Sequence, residues 1–409
     1  MSKRIAISCV GFPVLSETFI LNQITGLIDQ GYHVDIFPYF ECSYDNIHEE
    51  VKTYNLQEHV YPVKIPPKNK AVRFLKCIYY LLKNIRHSPK LFRCFNAKKI
   101  GKPAVDLTAF YYALCFLNKK PYDYHFCHFG ETAIRISLLK HIGFISGDIV
   151  TFYHGYDIHV RNNNELKQRQ KEYALQFANG KLNVVNTAFS LKKVLDLGAR
   201  METCLICPVG LYIEESQKKY LQNRPGDGPL KILSIGRLIP LKGHEFALLA
   251  IKNIINSGFS NITYNIIGYG DNYELLTQRI KELELGLHVF LLGGLPRQKV
   301  YEALESCDIF LHPSVSDTDG RAETQGLVIQ EAQLFGKPVV AFDSGGVAEG
   351  IGEQSGFVVA EKDTNALAEK LLILLKDANL RQKMGEKGIA FVKNKYDIKR
   401  LNNLVFGHL

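Results

Sequence analysis

Tryptophan is absent from this 409-residue chain and methionine occurs only three times. No stretch of eighteen or more apolar residues occurs either, which excludes an ordinary membrane-spanning helix. The missing tryptophan does not leave the chain without a core, because 21 tyrosines and 24 phenylalanines supply large apolar area. A hydrophobic content of 46% against 22% charged residues excludes a disordered chain. The nine cysteines are odd in number and scattered, which excludes a disulfide framework. Cys204-Leu205-Ile206-Cys207 is formally a Cys-x-x-Cys pair, but no second pair accompanies it and its apolar context reads as a strand. Residues three apart on a strand face opposite sides, so the two sulfurs do not share one metal. The same geometry weakens His125-Phe126-Cys127-His128 as a chelate. The chain enters a strand at once, from Arg4 to Val10, leaving no room for a cleavable signal peptide, and a cytoplasmic location is expected.

Acidic residues are missing from one long segment. Between Lys64 and Lys102 there are twelve Lys or Arg and no Asp or Glu. The formal charge of the chain is +9, so the remainder sums to −3. Within the segment Ala71, Phe74, Leu75, Ile78, Leu82 and Ile85 recur at helical spacing, with Arg73, Lys76 and Lys83 on other faces. A basic amphipathic helix of this kind suits an anionic membrane surface. The alternative is that the stripe packs against its own domain and the cations are simply solvated. No nucleic-acid-reading motif accompanies the charge, so nucleic acid is not an expected partner.

Strand-like and helix-like patterns alternate along the chain, which implies parallel sheets covered by helices and an α/β fold. At 409 residues the chain exceeds one ordinary core. The polar run Gln222-Asn223-Arg224-Pro225-Gly226-Asp227-Gly228-Pro229 is the clearest break. It divides a domain over residues 1–221 from a second over 230–390, with 222–229 as linker. In the first, Ser16 is a candidate N-cap followed by Glu17 in the first turn of a helix.

Two carboxylates stand eight residues apart, Glu323 and Glu331, in Glu323-Thr324-Gln325-Gly326-Leu327-Val328-Ile329-Gln330-Glu331. Upstream, Gly236-Arg237-Leu238-Ile239-Pro240-Leu241-Lys242 places two cations five residues apart behind an apolar strand. Two phosphate-neutralising cations with two hydroxyl-reading carboxylates describe a nucleotide-sugar pocket. Gly326 opens a helix, so the amides of Gly326, Leu327 and Val328 are candidate donors to a diphosphate at its positive end. Gly345-Gly346 lets backbone come close to donor or phosphate. Gly268-Tyr269-Gly270 follows a strand as a dinucleotide fingerprint would, but Tyr273 stands where its third glycine belongs, which weakens an NAD reading.

These motifs resemble retaining family-4 glycosyltransferases, whose signature is Glu-x7-Glu preceded by Arg-x4-Lys. His154-Gly155-Tyr156-Asp157, the stretch Phe12-Pro13-x-x-Ser16-Glu17-Thr18-Phe19, and Pro313-Ser314-Val315 with Asp319-Gly320 resemble the colanic-acid and exopolysaccharide galactosyltransferase type. Arg321-Ala322 before Glu323, and Phe-Pro-Val-Leu-Ser in place of a small-glycine turn, depart from that pattern, so sugar and acceptor specificity do not transfer.

The resemblance implies a GT-B architecture, two Rossmann-like doubly wound domains facing across a cleft, with residues 391–409 returning a helix to the N-terminal domain. It implies catalytic roles for His154, Arg237, Lys242 and Glu323, with Glu323 over the donor sugar and Glu331 at the ribose. Gly268, Gly270, Gly326, Leu327, Val328, Gly345 and Gly346 join Glu331 as donor-binding residues, and Ser16, Glu17 and Asp157 become acceptor- or sugar-contacting. It further implies a UDP- or GDP-linked donor, no cofactor, and no metal, with Arg237, Lys242 and the helix amides in its place. The acceptor is a glycan or polyprenyl-linked sugar, met on the inner face of the cell membrane.

Three alternatives stay open. One is a sugar-nucleotide epimerase or NAD-linked enzyme on similar domains, and another a non-catalytic sugar- or lipid-binding scaffold. Glycosidase chemistry by the paired carboxylates is the third, and it would leave Arg237 and Lys242 without a task.

Overall fold

The computed structural model describes residues 2–14, 17–44, 47–213 and 228–409. The strands are β1 (Arg4–Phe12), β2 (His33–Glu41), β3 (Tyr124–His128), β4 (Asp148–Tyr153), β5 (Leu182–Val185) and β6 (Cys204–Ile206). They continue as β7 (Leu230–Ile235), β8 (Ile262–Ile267), β9 (Val289–Leu291), β10 (Ile309–His312), β11 (Val339–Phe342) and β12 (Gly356–Val359). Two six-stranded sheets result, ordered β2-β1-β3-β4-β5-β6 and β12-β11-β10-β7-β8-β9. All the pairings are parallel. A parallel neighbour is reached only by a crossover, so helices cover both faces and the central strands are buried on both sides. All five residues of β3 and all four of β5, β10 and β11 are buried.

The chain divides into two compact units, residues 1–210 with Ile398–Leu409, and Leu211–Asp397. The last helix, Ile398–Phe406, belongs to the first unit. Its Leu401 and Val405 share a core with Ile20, Ile24 and Leu27 of the helix Thr18–Asp29. Gln30 donates to the Lys399 carbonyl and to Asn403, and Phe406 stacks on Tyr32 at 4.6 Å. Of the expected linker, only Gly228 and Pro229 lie within the described residues.

Three local details depart from the sequence reading. Glu17, not Ser16, occupies the cap position of the helix Thr18–Asp29 and makes no side-chain cap bond; Ser16 lies outside the described residues. Edge strand β12, Gly-Phe-Val-Val, is only four residues long and partly exposed, too short for a periodic pattern to mark it. The helix Ala378–Lys395 buries only Met384, Gly385, Gly388 and Val392, too few to stand out as a periodic stripe. Among the described residues no helix is long and apolar enough to cross a membrane.

Candidate functional site

An open parallel sheet offers a crevice at the carboxyl ends of its strands, where successive connections leave in opposite directions. In the second unit that point lies between β7 and β10, because β8 and β9 follow on one side and β10 to β12 on the other. Arg237 and Lys242 follow β7, Gly268 and Gly270 follow β8, Glu323 follows β10, and Gly345 and Gly346 follow β11. Residues spread over more than a hundred positions thus meet on one rim.

The centre of that rim is an ion pair. The Lys242 ammonium donates to Glu323 Oε2, and the two side chains are only 15% and 18% exposed. Burial alone would push the Glu323 carboxyl up, but Lys242, with help from Arg237, outweighs it and holds the group below its ordinary value. His312 Nε2 stands 4.0 Å from the same oxygen and 2.9 Å from Ser314 Oγ. Burial first, and then Lys242, push His312 down to about 3, so the ring is neutral at physiological pH. Arg237 is exposed at the mouth. His312 was given no role by the sequence, and Ser314 entered only within the motif Pro313-Ser314-Val315; the signal for both was position, at the carboxyl end of an apolar strand.

Two glycines hold this geometry. A Cβ on Gly345, which has φ +60°, would stand 2.2 Å from the Glu323 carbonyl oxygen, and Gly346 N–H donates to that oxygen at 2.8 Å. A Cβ on Gly268 would stand 1.8 Å from the Gly236 carbonyl oxygen, so a side chain there would separate the β7 and β8 loops. Gly-Tyr-Gly is therefore a packing turn beside Arg237 in the structure.

The helix after Glu323 runs Leu327–Leu334, with Gly326 as its left-handed cap residue. Its first N–H groups have no acceptor inside the helix, so Leu327 and Val328 present donors at its positive end. Glu331 sits one turn further along this helix. Burial pushes its carboxyl up to about 7, against the opposing pull of Arg297.

Two features bear on metal binding. The expectation of a metal-free site rested in part on there being no Asp-x-Asp sequence, but Asp317-Thr318-Asp319 is one. Asp317 accepts from the N–H groups of Asp319 and Arg321 and from Arg321 Nε at 2.6 Å, so both of its oxygens close their own loop. Among the described residues, His33, Asp35 and His59 bring ligand-type atoms within 4.8 Å of one another. Arg4 at 3.0 Å and the Tyr122 hydroxyl at 2.6 Å already hold Asp35 Oδ2. This cluster sits at the amino ends of β1 and β2, away from the carboxyl-end rim, and its carboxylate is already compensated. The cysteines are all free, and Cys207 is buried against the Leu401 carbonyl while Cys204 faces that of Arg200.

The first unit has its own rim. His154, after β4, lies with its Nε2 3.1 Å from His128 Nδ1 and its ring 4.4 Å from that of Phe19. Burial and the neighbouring His128 hold His154 well below its ordinary pKa, so the pair is uncharged. Asp157, expected to contact sugar, is turned to the backbone. It is 0% exposed and accepts from the N–H groups of Gly130, His154 and Gly155 at 2.9–3.1 Å. It ties the β3 and β4 loops together and thereby sets the position of His154. Glu17 is partly buried, and burial pushes its carboxyl up to about 7.

Comparison with known proteins bears on the family and the fold. The family model described as "Glycosyl transferases group 1" matches residues 216–391. The amylovoran biosynthesis glycosyltransferase AmsK of Erwinia amylovora is 32% identical over 368 residues, 89% of this chain and 88% of that one. The putative colanic acid biosynthesis glycosyltransferase WcaL of Escherichia coli K12 is 30% identical over 363 residues, 88% and 87% of the two chains. Among solved structures, Anabaena HepE in complex with UDP matches with a TM-score of 0.70 at 18% identity, covering 99% of this chain and 98% of that one. TarM matches at 0.69 and 15% identity, covering 100% and 99%. At these identities the structural likeness is one of fold, the two-sheet GT-B architecture.

Proposed function

The chain belongs to the group 1 glycosyltransferases, and we propose that it transfers a hexose from a UDP- or GDP-linked donor to a glycan acceptor. The reading includes retention at the anomeric carbon, no requirement for a metal, and a place in bacterial exopolysaccharide, capsule or O-antigen synthesis. The observation that carries it is the pairing of Lys242 with Glu323 beside the start of the helix Leu327–Leu334, with Arg237 at the mouth. The names of AmsK and WcaL support the pathway, and the UDP complex of HepE supports a nucleotide-sugar donor.

In this mechanism the diphosphate lies on the N–H groups of Leu327 and Val328. Arg237 and Lys242 neutralise the charge that grows on it as the glycosidic bond breaks, a contribution typically worth several kcal/mol per group. Glu323 and Glu331 accept hydrogen bonds from donor hydroxyls, the first at the sugar and the second at the ribose. The leaving phosphate takes the acceptor proton on the same face, which gives retention. Neutral His154 contacts sugar hydroxyls in the first unit, held in place by Asp157. The acceptor is a polyprenyl-linked sugar, and the enzyme meets it as a peripheral protein at the anionic inner face of the cell membrane.

A panel of nucleotide sugars scored by shift in melting temperature tests the donor site. A true donor at a hundred times its Kd stabilises the fold by about 2.7 kcal/mol. Transfer with the identified donor, followed by assignment of the product anomer, tests retention. No shift with any UDP- or GDP-sugar, or an inverted product, would refute the corresponding part of the reading.

A further inference from the structure

The helix Lys70–Lys83 has one face fixed to the protein and the other left bare. On the fixed face, Cys77 is 3% exposed and shares a core with Leu91, Cys94 and Phe110. Arg73 locks the helix in rotation, donating from Nε to the Pro67 carbonyl at 2.7 Å and from a terminal nitrogen to that of Asp106 at 3.0 Å. The Tyr111 hydroxyl donates to the Arg73 carbonyl, and Asn69 caps the first turn through the N–H groups of Ala71 and Val72. The bare face carries Phe74 at 59%, Leu75 at 66%, Ile78 at 39% and Leu82 at 65% exposure, and Ile85 and Phe92 extend it. The helix therefore cannot roll to bury this stripe without breaking its anchors. The sequence left open whether the stripe packs on its own domain, and the structure leaves it in solvent.

We propose that this face docks on an anionic lipid bilayer, with Phe74, Leu75, Ile78 and Leu82 among the upper acyl chains. Lys76 and Lys83, seven residues apart, line one flank of the stripe at the level of the lipid phosphates. The choice of occupant rests on charge. The segment from Lys64 to Lys102 holds twelve cations and no acid. A second copy of the chain would bring the same cations against it, and a nucleic acid would leave the apolar stripe unused. An anionic bilayer engages both the charges and the stripe. The inference deepens the membrane reading of the proposed function, on which it rests, by naming the docking face and its depth.

The test is sedimentation of the full chain with vesicles of phosphatidylcholine alone or mixed with phosphatidylglycerol. Binding should require the anionic lipid and should weaken as salt is raised, because exposed charges are screened within about 10 Å at 0.1 M. K76E/K83E should weaken binding by about 25-fold or more, at roughly fivefold per cation removed. L75S/L82S should weaken it about tenfold or more, because the stripe then has less to bury. Both pairs lie on exposed positions, so unchanged melting temperatures serve as the control for folding. Equal binding to neutral and anionic vesicles, or wild-type binding by both variants, overturns the proposal. So does a dimer in solution that L75S/L82S dissolves, or a nucleic acid bound in preference to the vesicles. Donor-induced shifts in melting temperature on the same samples separate the two readings. Loss of vesicle binding with the shift retained sinks the docking face alone, and vesicle binding without any donor shift sinks the proposed UDP- or GDP-sugar donor alone.

Discussion

With Glu331 at the donor ribose, as proposed, donor binding should depend on pH. The Glu331 carboxyl is pushed by burial from an ordinary 4.5 up to about 7, so the ligand-free protein holds it partly protonated at neutral pH. A carboxylate that accepts hydrogen bonds from ribose hydroxyls must be ionised to do so fully. If only the ionised form binds, the apparent Kd is multiplied by about 11 at pH 6 and about 1.1 at pH 8, a tenfold gain across the range. Little else at the rim interferes. Burial holds His312 down at about 3 and His244, which opens the helix His244–Asn256 after Lys242, at about 4, and Glu323 is held below its ordinary value. A nucleotide sugar is esterified at both phosphorus atoms and has no proton to lose in this window. Calorimetric titration of donor between pH 6 and pH 8 should show the tenfold change, and Glu331→Gln should show a flat profile with about tenfold weaker binding at pH 8. The same group also affects stability without donor. Its folded value is raised, so the stability it contributes is present below about 4.5 and lost as pH rises through about 7. Buried histidines such as His125 and His128 have lowered values and act with the opposite sign, so the difference between wild type and Glu331→Gln is the quantity to follow. A flat wild-type profile, or an unchanged slope in the variant, refutes the placement of Glu331 at the donor.

Arg237→Ala and Lys242→Ala should each lower kcat/KM by about a hundredfold or more, Arg237→Ala with little change in melting temperature and Lys242→Ala with a lowered one, because Glu323 loses its partner; near wild-type turnover in both would dismiss the phosphate assignment. Lys242→Ala should in addition raise the Glu323 pKa, because the ion pair opposing its burial is gone, and carboxylate titration by NMR reads this. Transfer should survive excess EDTA, and full loss restored by Mg²⁺ or Mn²⁺ would return attention to Asp317 and Asp319. Asp157→Ala should destabilise the first unit by about 3 kcal/mol, since three buried N–H groups lose their acceptor, and an unchanged unfolding midpoint in urea would contradict that role.

Much of the second unit was legible in the sequence because its chemistry is local. Arg237 and Lys242 lie five residues apart on one loop, and Glu323 and Glu331 flank one helix start. Strand-and-helix alternation implied parallel sheets because period 2 and period 3.6 patterns are set by neighbouring residues. What sequence spacing does not carry is which loops become neighbours. The approach of Lys242 to Glu323 depends on β7 lying beside β10, 77 residues or more further along the chain, and Gly345 reaches Glu323 only because β11 pairs with β10. Asp157 shows the same limit from the other side. Its motif suggested a ligand contact, but burial and three backbone N–H groups drawn from two loops make it a fastener. The stripe on Lys70–Lys83 was visible as periodicity, yet an amphipathic pattern states only that one face is apolar. Only the packing of Cys77 and the anchoring of Arg73 decided that the face left in solvent is the apolar one, because burial is a property of the assembled chain and not of any segment within it.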